Sequence, residues 1–181
     1  MSKLALLLGC LLLGSCKNEV NTVDEIMQCE GSESTCEFLI NEAVAKLPTE
    51  LQDKIVDTSD TLIIYTGANE EKLKSRGVSG ITQYAYQKPT RIHSIAKSHV
   101  LFHELGHAYD ITYLHNGNEL LSHSKEWIDA YSTEFISRYG QTSEEEFYAE
   151  TFSMYFKNPK SLQKLCPKAY TLHEKEFKNM R

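Results

Sequence analysis

The sequence predicts one α+β domain, with a small and mostly antiparallel sheet followed by a helical C-terminal half, and three observations carry that prediction. The chain has 181 residues and 41% hydrophobic content, which suits a single compact core. Its strand signals, β-branched and apolar runs between turn residues, occupy the middle of the chain, residues 61–95. After Ile95 the apolar residues recur at helical spacing instead.

In order along the chain, Phe38, Leu39, Val44 and Leu47 predict a helix from Cys36 to Leu47, closed by Pro48. A second short helix is expected near Glu50 to Val56. Thr61 to Thr66 is β-branched and apolar between Asp60 and Gly67, and reads as a buried strand. Gly80 to Tyr86 and Thr90 to Ile95, separated by Gln87-Lys88-Pro89, read as an antiparallel pair. The Gly77 to Gly80 stretch is expected to let another backbone approach. Val100, Leu101, Leu105, Ala108 and Ile111 form one helical stripe, and Ile128, Tyr131, Phe135 and Ile136 another. Ser143 to Phe156 is apolar on most sides, so a buried helix is expected there, ended by Asn158-Pro159. A last amphipathic segment runs from about Pro167 to Phe177.

A net charge of −6 and a pI near 5.7 argue against a broad nucleic-acid surface, which requires excess Lys and Arg. No nucleic-acid partner is expected, and nothing signals oligomerisation, so the expected state is a monomer. Lys3 precedes an apolar run from Leu4 to Leu13, too short to span a bilayer but right for a signal-peptide core. Leu13-Gly14-Ser15-Cys16 follows at once and has the pattern of a bacterial lipobox. Residues 1–15 are therefore read as a lipoprotein signal peptide, Cys16 as the lipidated residue, 16–35 as a polar tether and 36–181 as the domain. The expected location is the bacterial cell envelope, lipid-anchored to the membrane and facing outside the cytoplasm, with release as the alternative. An exported compartment permits a disulfide among Cys29, Cys36 and Cys166, and the sequence leaves the pairing open.

His103-Glu104-Leu105-Gly106-His107 is an H-E-x-x-H sequence inside a predicted helix. Helical residues four apart differ by about 40° around the axis, so two such histidines can reach one ion. Glu104, about 100° from His103, can hold a water at that ion without being a ligand. His93, His99, His115, His123 and His173 lack ligand spacing. A catalytic zinc usually has three protein ligands. The metzincin pattern fails, because Asp110 and Tyr113 stand where its Gly and third His would be. Glu146 and Glu150, four apart on a second helix, are both candidates, one to ligate and one to orient a histidine. Ser143-x-x-Glu146 is also a capping-box pattern, in which Glu146 would bond the Ser143 backbone instead.

The run from His103 through Asp110, then Ser124-Lys125-Glu126-Trp127-Ile128-Asp129, Tyr139-Gly140-Gln141-Thr142 and Glu146-Phe147-Tyr148-Ala149-Glu150, resembles the catalytic domain of anthrax lethal factor. The same pattern occurs in the secreted Pro-Pro endopeptidases. The resemblance spans about residues 96–177. It implies a zincin-like fold of the gluzincin type, with one zinc ion held by His103, His107 and Glu146, and with Glu150 beside a ligand histidine. It also implies that the Tyr139 hydroxyl faces the zinc and helps stabilise the oxyanion. The chain has neither the large N-terminal domains of lethal factor nor its long docking regions, so delivery into a host cell and kinase cleavage are not carried over. Pro-Pro specificity is not carried over either.

The expectation is thus a zinc metalloendopeptidase acting on a peptide or protein substrate, with Glu104 as general base and Tyr139 as oxyanion donor. The alternative is a catalytically silent lipoprotein that keeps the zincin fold for surface binding or metal binding. The intact Glu104 and Tyr139 weigh against it, since binding alone needs neither.

Overall fold

In the computed structural model, residues 22–85 and 88–180 are described. The signal peptide, Cys16, Tyr86 and Gln87 lie outside the described residues. No helix among the described residues is long and apolar enough to cross a membrane.

Four strands form one sheet: β1 (Met27–Glu30), β2 (Ser59–Tyr65), β3 (Gly80–Ala85) and β4 (Lys88–Ile95), in the order β1-β2-β4-β3. The β3–β4 pair is antiparallel, and with two residues between the strands no crossover to a parallel pairing is available. The other two pairings, β1 with β2 and β2 with β4, are parallel, so the sheet is not mostly antiparallel. Parallel neighbours need a crossover of about a dozen residues or more. The β1–β2 crossover consists of α1 (Glu33–Ala43), a 3-10 turn and α2 (Thr49–Thr58), while the β2–β4 crossover includes α3 (Glu71–Lys74) and β3 itself. Apolar alternation reports which face of a strand is buried and carries no information on direction, which is why the sequence misled here.

The segment read as tether also differs from expectation. Val23, fully buried, opens a 3-10 turn, and β1 follows it as an edge strand. Four residues of mixed polarity, Met-Gln-Cys-Glu, have too little alternation to announce a strand. The domain therefore begins at least 13 residues before residue 36, and Cys29 in β1 is joined by a disulfide to Cys36 in α1. Cys166 is a free and buried thiol.

The helical half begins with α4 (Ser98–His115), which lies against β3 and β4 on one side and against α1, α2 and α6 (Glu144–Lys157) on others. Its residues from Val100 through Gly106 and from Ala108 through Thr112 are buried, so it is a central helix rather than an amphipathic surface one. After α4 come α5 (Lys125–Thr133), α6, α7 (Pro159–Leu165) and α8 (Pro167–Phe177). Trp127 of α5 donates its ring N–H to one oxygen of Glu176 on α8 at 3.0 Å, and the Tyr148 hydroxyl of α6 donates to the other at 3.1 Å. One carboxylate thus joins three helices and satisfies two buried donors at once.

The stripe expected from Ile128 to Ile136 is cut short. The Thr133 hydroxyl donates back to the Asp129 carbonyl at 2.6 Å, and α5 stops at Thr133. The next residue, Glu134, becomes extended and accepts the backbone N–H groups of Lys168 and Ala169 at 2.7 and 3.1 Å, capping α8. Phe135 consequently points outward, 61% exposed. Residues 134–143 become a loop, from which Tyr139 reaches the cleft.

Candidate metal centre

Helix α4 brings His103 and His107 onto one face, with Nε2 atoms 3.1 Å apart. Helix α6 crosses it closely and supplies Glu146, whose Oε2 lies 3.0 Å from His103 Nε2 and 3.3 Å from His107 Nε2. The close crossing depends on Gly106: a Cβ there would stand 3.1 Å from the Ala149 Cα and 3.1 Å from the Phe152 Cβ. Among the described residues, His103, His107 and Glu146 form the one group of three whose donor atoms could hold a metal ion.

The donor set fits zinc on two grounds. Tetrahedral ligands at about 2.0–2.1 Å from a zinc ion stand roughly 3.4 Å from one another, close to the 3.0, 3.1 and 3.3 Å found here. Glu146 Oε2 is also buried and makes no hydrogen bond of proper geometry, although two imidazole nitrogens face it, as expected of an atom aimed at a shared cation. The electrostatics agree. Burial opposes charging His103, yet the Glu146 and Glu150 carboxylates outweigh it and raise its pKa to about 9. Burial likewise opposes ionising Glu146, but contact with the two histidines holds its pKa well below the usual carboxylate range. The site therefore favours positive charge at its centre.

Around this triad stand the other candidates. Glu150, one turn after Glu146, places Oε1 3.4 Å from His103 Nδ1 and accepts the Ser137 hydroxyl on Oε2 at 3.0 Å. Burial raises the pKa of Glu104, with His107 and Thr82 opposing; the side chain is 5% exposed and accepts the Thr82 hydroxyl on Oε2 at 2.7 Å. Gly80 on β3 lies directly over it, since a Cβ there would be 2.3 Å from Glu104 Oε1. The close approach expected at the 77–80 glycines is thus made by the Glu104 side chain rather than by another backbone stretch. Tyr139 projects from the 134–143 loop with its ring 5.7 Å from that of His103. Its pKa is raised by burial and by the neighbouring Glu146 charge, so its hydroxyl keeps its proton.

The cleft extends to both sides of Glu104 and Tyr139. One side, about 370 Å³, is bounded by Val78, Ser79, His99, Val100 and Glu150. The other, about 240 Å³, is bounded by Ile81, Tyr84, Asp110, Ile111, Leu120 and Glu145. Asp110, which the sequence used only to reject a motif, anchors this second wall by accepting the Ser122 N–H and hydroxyl at 2.9 and 2.6 Å.

All the residues named for the site from the sequence, His103, Glu104, His107, Tyr139, Glu146 and Glu150, therefore meet in one place. The other five histidines stay outside the triad; His173, for one, is fully buried and pairs with Thr151 at 3.1 Å. Sequence reasoning missed Thr82 and Ser137. Both act through a single hydroxyl supplied by another element, and a lone Thr or Ser leaves no pattern to find.

Comparison with known proteins bears on this geometry. The family described as anthrax toxin lethal factor, N- and C-terminal domain, matches residues 71–176. No curated protein matches. Among solved structures, the Pro-Pro endopeptidase PPEP-2 from Paenibacillus alvei is similar, with a TM-score of 0.64 at 18% identity over 85% of this chain and 98% of that one. The family match reaches from α3, through the edge strand and both ligand-bearing helices, into α8, and covers more than half of the sequence. The chain thus belongs to the anthrax toxin lethal factor family and has a zincin-like metallopeptidase fold.

Proposed function

We propose that this protein is a zinc-dependent endopeptidase of the bacterial cell envelope, lipid-anchored to the membrane and facing outside the cytoplasm. The observation that carries the reading is the meeting of His103, His107 and Glu146 donor atoms beside a buried Glu104, in a cleft open on both sides. One ion held by these three residues would supply Lewis-acid polarisation of the scissile carbonyl and bring the pKa of its water to about 7.

The protein's own groups do the rest. Glu104 accepts the proton of the attacking water and returns it to the departing amine. Burial, which lifts its pKa, suits a group that must take a proton and give it back near neutrality. Thr82 Oγ1, 2.7 Å from Oε2 and 3.1 Å from the Glu104 carbonyl, steadies the carboxylate. Tyr139, a phenol that keeps its proton at neutral pH and whose pKa is raised further by burial and the Glu146 charge, donates a hydrogen bond to the oxyanion as it forms. Strand β3 lies at the edge of the sheet and bears Gly80 and Thr82 beside Glu104, so an extended substrate can add to its unpaired rim along the cleft.

The Cys29–Cys36 disulfide supports the exported location, since such bonds persist in oxidising compartments. Lipidation at Cys16 rests on the lipobox alone. Incubation of zinc-loaded protein with a peptide library, with and without chelator, tests the activity. Glu104→Gln is expected to keep the metal and lose at least about a hundredfold in turnover. A zinc-bearing variant that still cuts would overturn the assigned base, and a zinc-loaded wild type that cuts no peptide would favour a silent binding protein.

A further inference from the structure

Tyr139 sits on a loop rather than on a helix or strand, so something must fix it over the centre. Several bonds close the loop upon itself and onto its flanks: the Tyr131 hydroxyl donates to the Gln141 carbonyl at 3.0 Å, Gln141 Nε2 donates to the Glu134 carbonyl at 2.9 Å, and the Thr142 hydroxyl donates to the Tyr139 carbonyl at 2.7 Å. The last, with the Thr142 N–H at 2.9 Å, holds the Tyr139 carbonyl, but none of these reaches a ligand residue or Glu150. Ser137 does. Its Oγ accepts the Gly140 N–H at 2.8 Å and donates to Glu150 Oε2 at 3.0 Å. A hydroxyl has a single proton, and an ionised carboxylate can only accept, so the direction of the chain of bonds is determined: Gly140 N–H to Ser137, then Ser137 O–H to Glu150. At its far end, the same carboxylate places Oε1 3.4 Å from His103 Nδ1, a charge contact rather than an aligned hydrogen bond, and Nδ1 has no other partner among the described residues.

We propose that Ser137 is a positioning residue that couples the placement of Tyr139 to the orientation of His103, through Gly140 on one side and Glu150 on the other. Glu150 is 31% exposed, so without Ser137 its carboxylate can turn to water and leave the His103 ring unguided. The Gly140 N–H, on the peptide bond that follows Tyr139, would lose its partner at the same moment, leaving that peptide held only through its carbonyl by Thr142, so the tyrosine would loosen. One hydroxyl thus serves two parts of the site that lie on different elements, the α5–α6 loop and helix α4.

The kinetic part of this inference rests on the peptidase reading; the binding part does not. The test compares wild type, Ser137→Ala, Ser137→Thr, Tyr139→Phe and the Ser137→Ala/Tyr139→Phe double variant. Zinc affinity is measured by competition with a chelator, exchange of the Gly140 amide by NMR, and kcat and KM with a cleavable peptide. Ser137→Ala is expected to weaken zinc binding about 10–100-fold, as loss of a group that orients a ligand does, and to speed Gly140 exchange about tenfold. It should lower kcat with KM little changed, and the double variant should be little slower than Tyr139→Phe alone, because both act through the same hydroxyl. Ser137→Thr keeps the O–H and should hold zinc affinity and exchange within a few-fold of wild type. Wild-type zinc affinity and Gly140 protection in Ser137→Ala would overturn the inference, as would a threonine variant as impaired as the alanine one. If the zinc-loaded wild type cuts no peptide, the peptidase reading fails by itself, and the affinity and exchange measurements still decide the role of Ser137.

Discussion

Glu146 and Glu150 stand one helical turn apart and face the two nitrogens of the same imidazole, Glu146 at His103 Nε2 and Glu150 at Nδ1. Spacing alone left them equivalent. What separates them is His107, which reaches Glu146 at 3.3 Å, so that only Glu146 meets both rings. The capping-box alternative is half realised: the Glu146 N–H donates to Ser143 Oγ at 3.3 Å, while its carboxylate turns to the histidines instead of returning to the cap. A residue's backbone and side chain can thus serve two masters, which the four-letter pattern does not disclose. Glu150→Gln is expected to weaken zinc binding about 10–100-fold, and Glu146→Gln by considerably more. Chelator competition measures both, and the reverse ranking would exchange their roles. Tyr139→Phe should bind zinc as tightly as wild type and lose about a hundredfold in kcat. An unchanged kcat would remove the hydroxyl from the reaction.

At the scale of elements, the site depends on how closely α4 and α6 approach. Gly106, between the two ligand histidines, faces Ala149, between the two glutamates, and the small pair lets the helices come near enough for the imidazoles and the carboxylate to share one point. Gly106→Val forces branched atoms into a contact that already stands at 3.1 Å for a bare Cβ. It is expected to destabilise the fold by about 1–3 kcal/mol in urea denaturation and to weaken zinc binding, because separating the helices carries Glu146 away. Full stability with full zinc affinity would show that the helices are free to part. The helices themselves were legible, since 3.6-residue periodicity survives burial on several faces in α4 and α6. The end of α5 was not. It is set by Glu134, whose carboxylate caps a helix that begins 33 residues later, and no local pattern carries that partnership.

Across the whole molecule, the ligand set joins two helices that are separated by α5 and a loop, so metal bound there holds the native state and not the unfolded chain. Zinc at 100–1,000 times its dissociation constant adds about 3–4 kcal/mol of stability. For a domain of this size, stripping the ion with a chelator should lower the thermal midpoint by about 10 °C. Calorimetry with and without chelator checks this, and an unmoved midpoint would mean that the native state holds no metal.

The amino-acid order alone determined the chemistry: two histidines and a base on one helical turn, acids four apart on another helix, and a strand-rich segment ahead of both. These are consequences of local periodicity, which any reader of the chain can project. Spacing left open which acid meets both histidines, and the tertiary structure brings to them Glu146, the one the resemblance names; only the tertiary structure decided that β1 belongs to the sheet and runs parallel to β2, and that Thr82 and Ser137 hold the base and the Glu150 carboxylate in place. Each of those outcomes joins residues far apart in sequence through a single bond or a strand pairing, and such contacts are chosen by packing rather than by spacing.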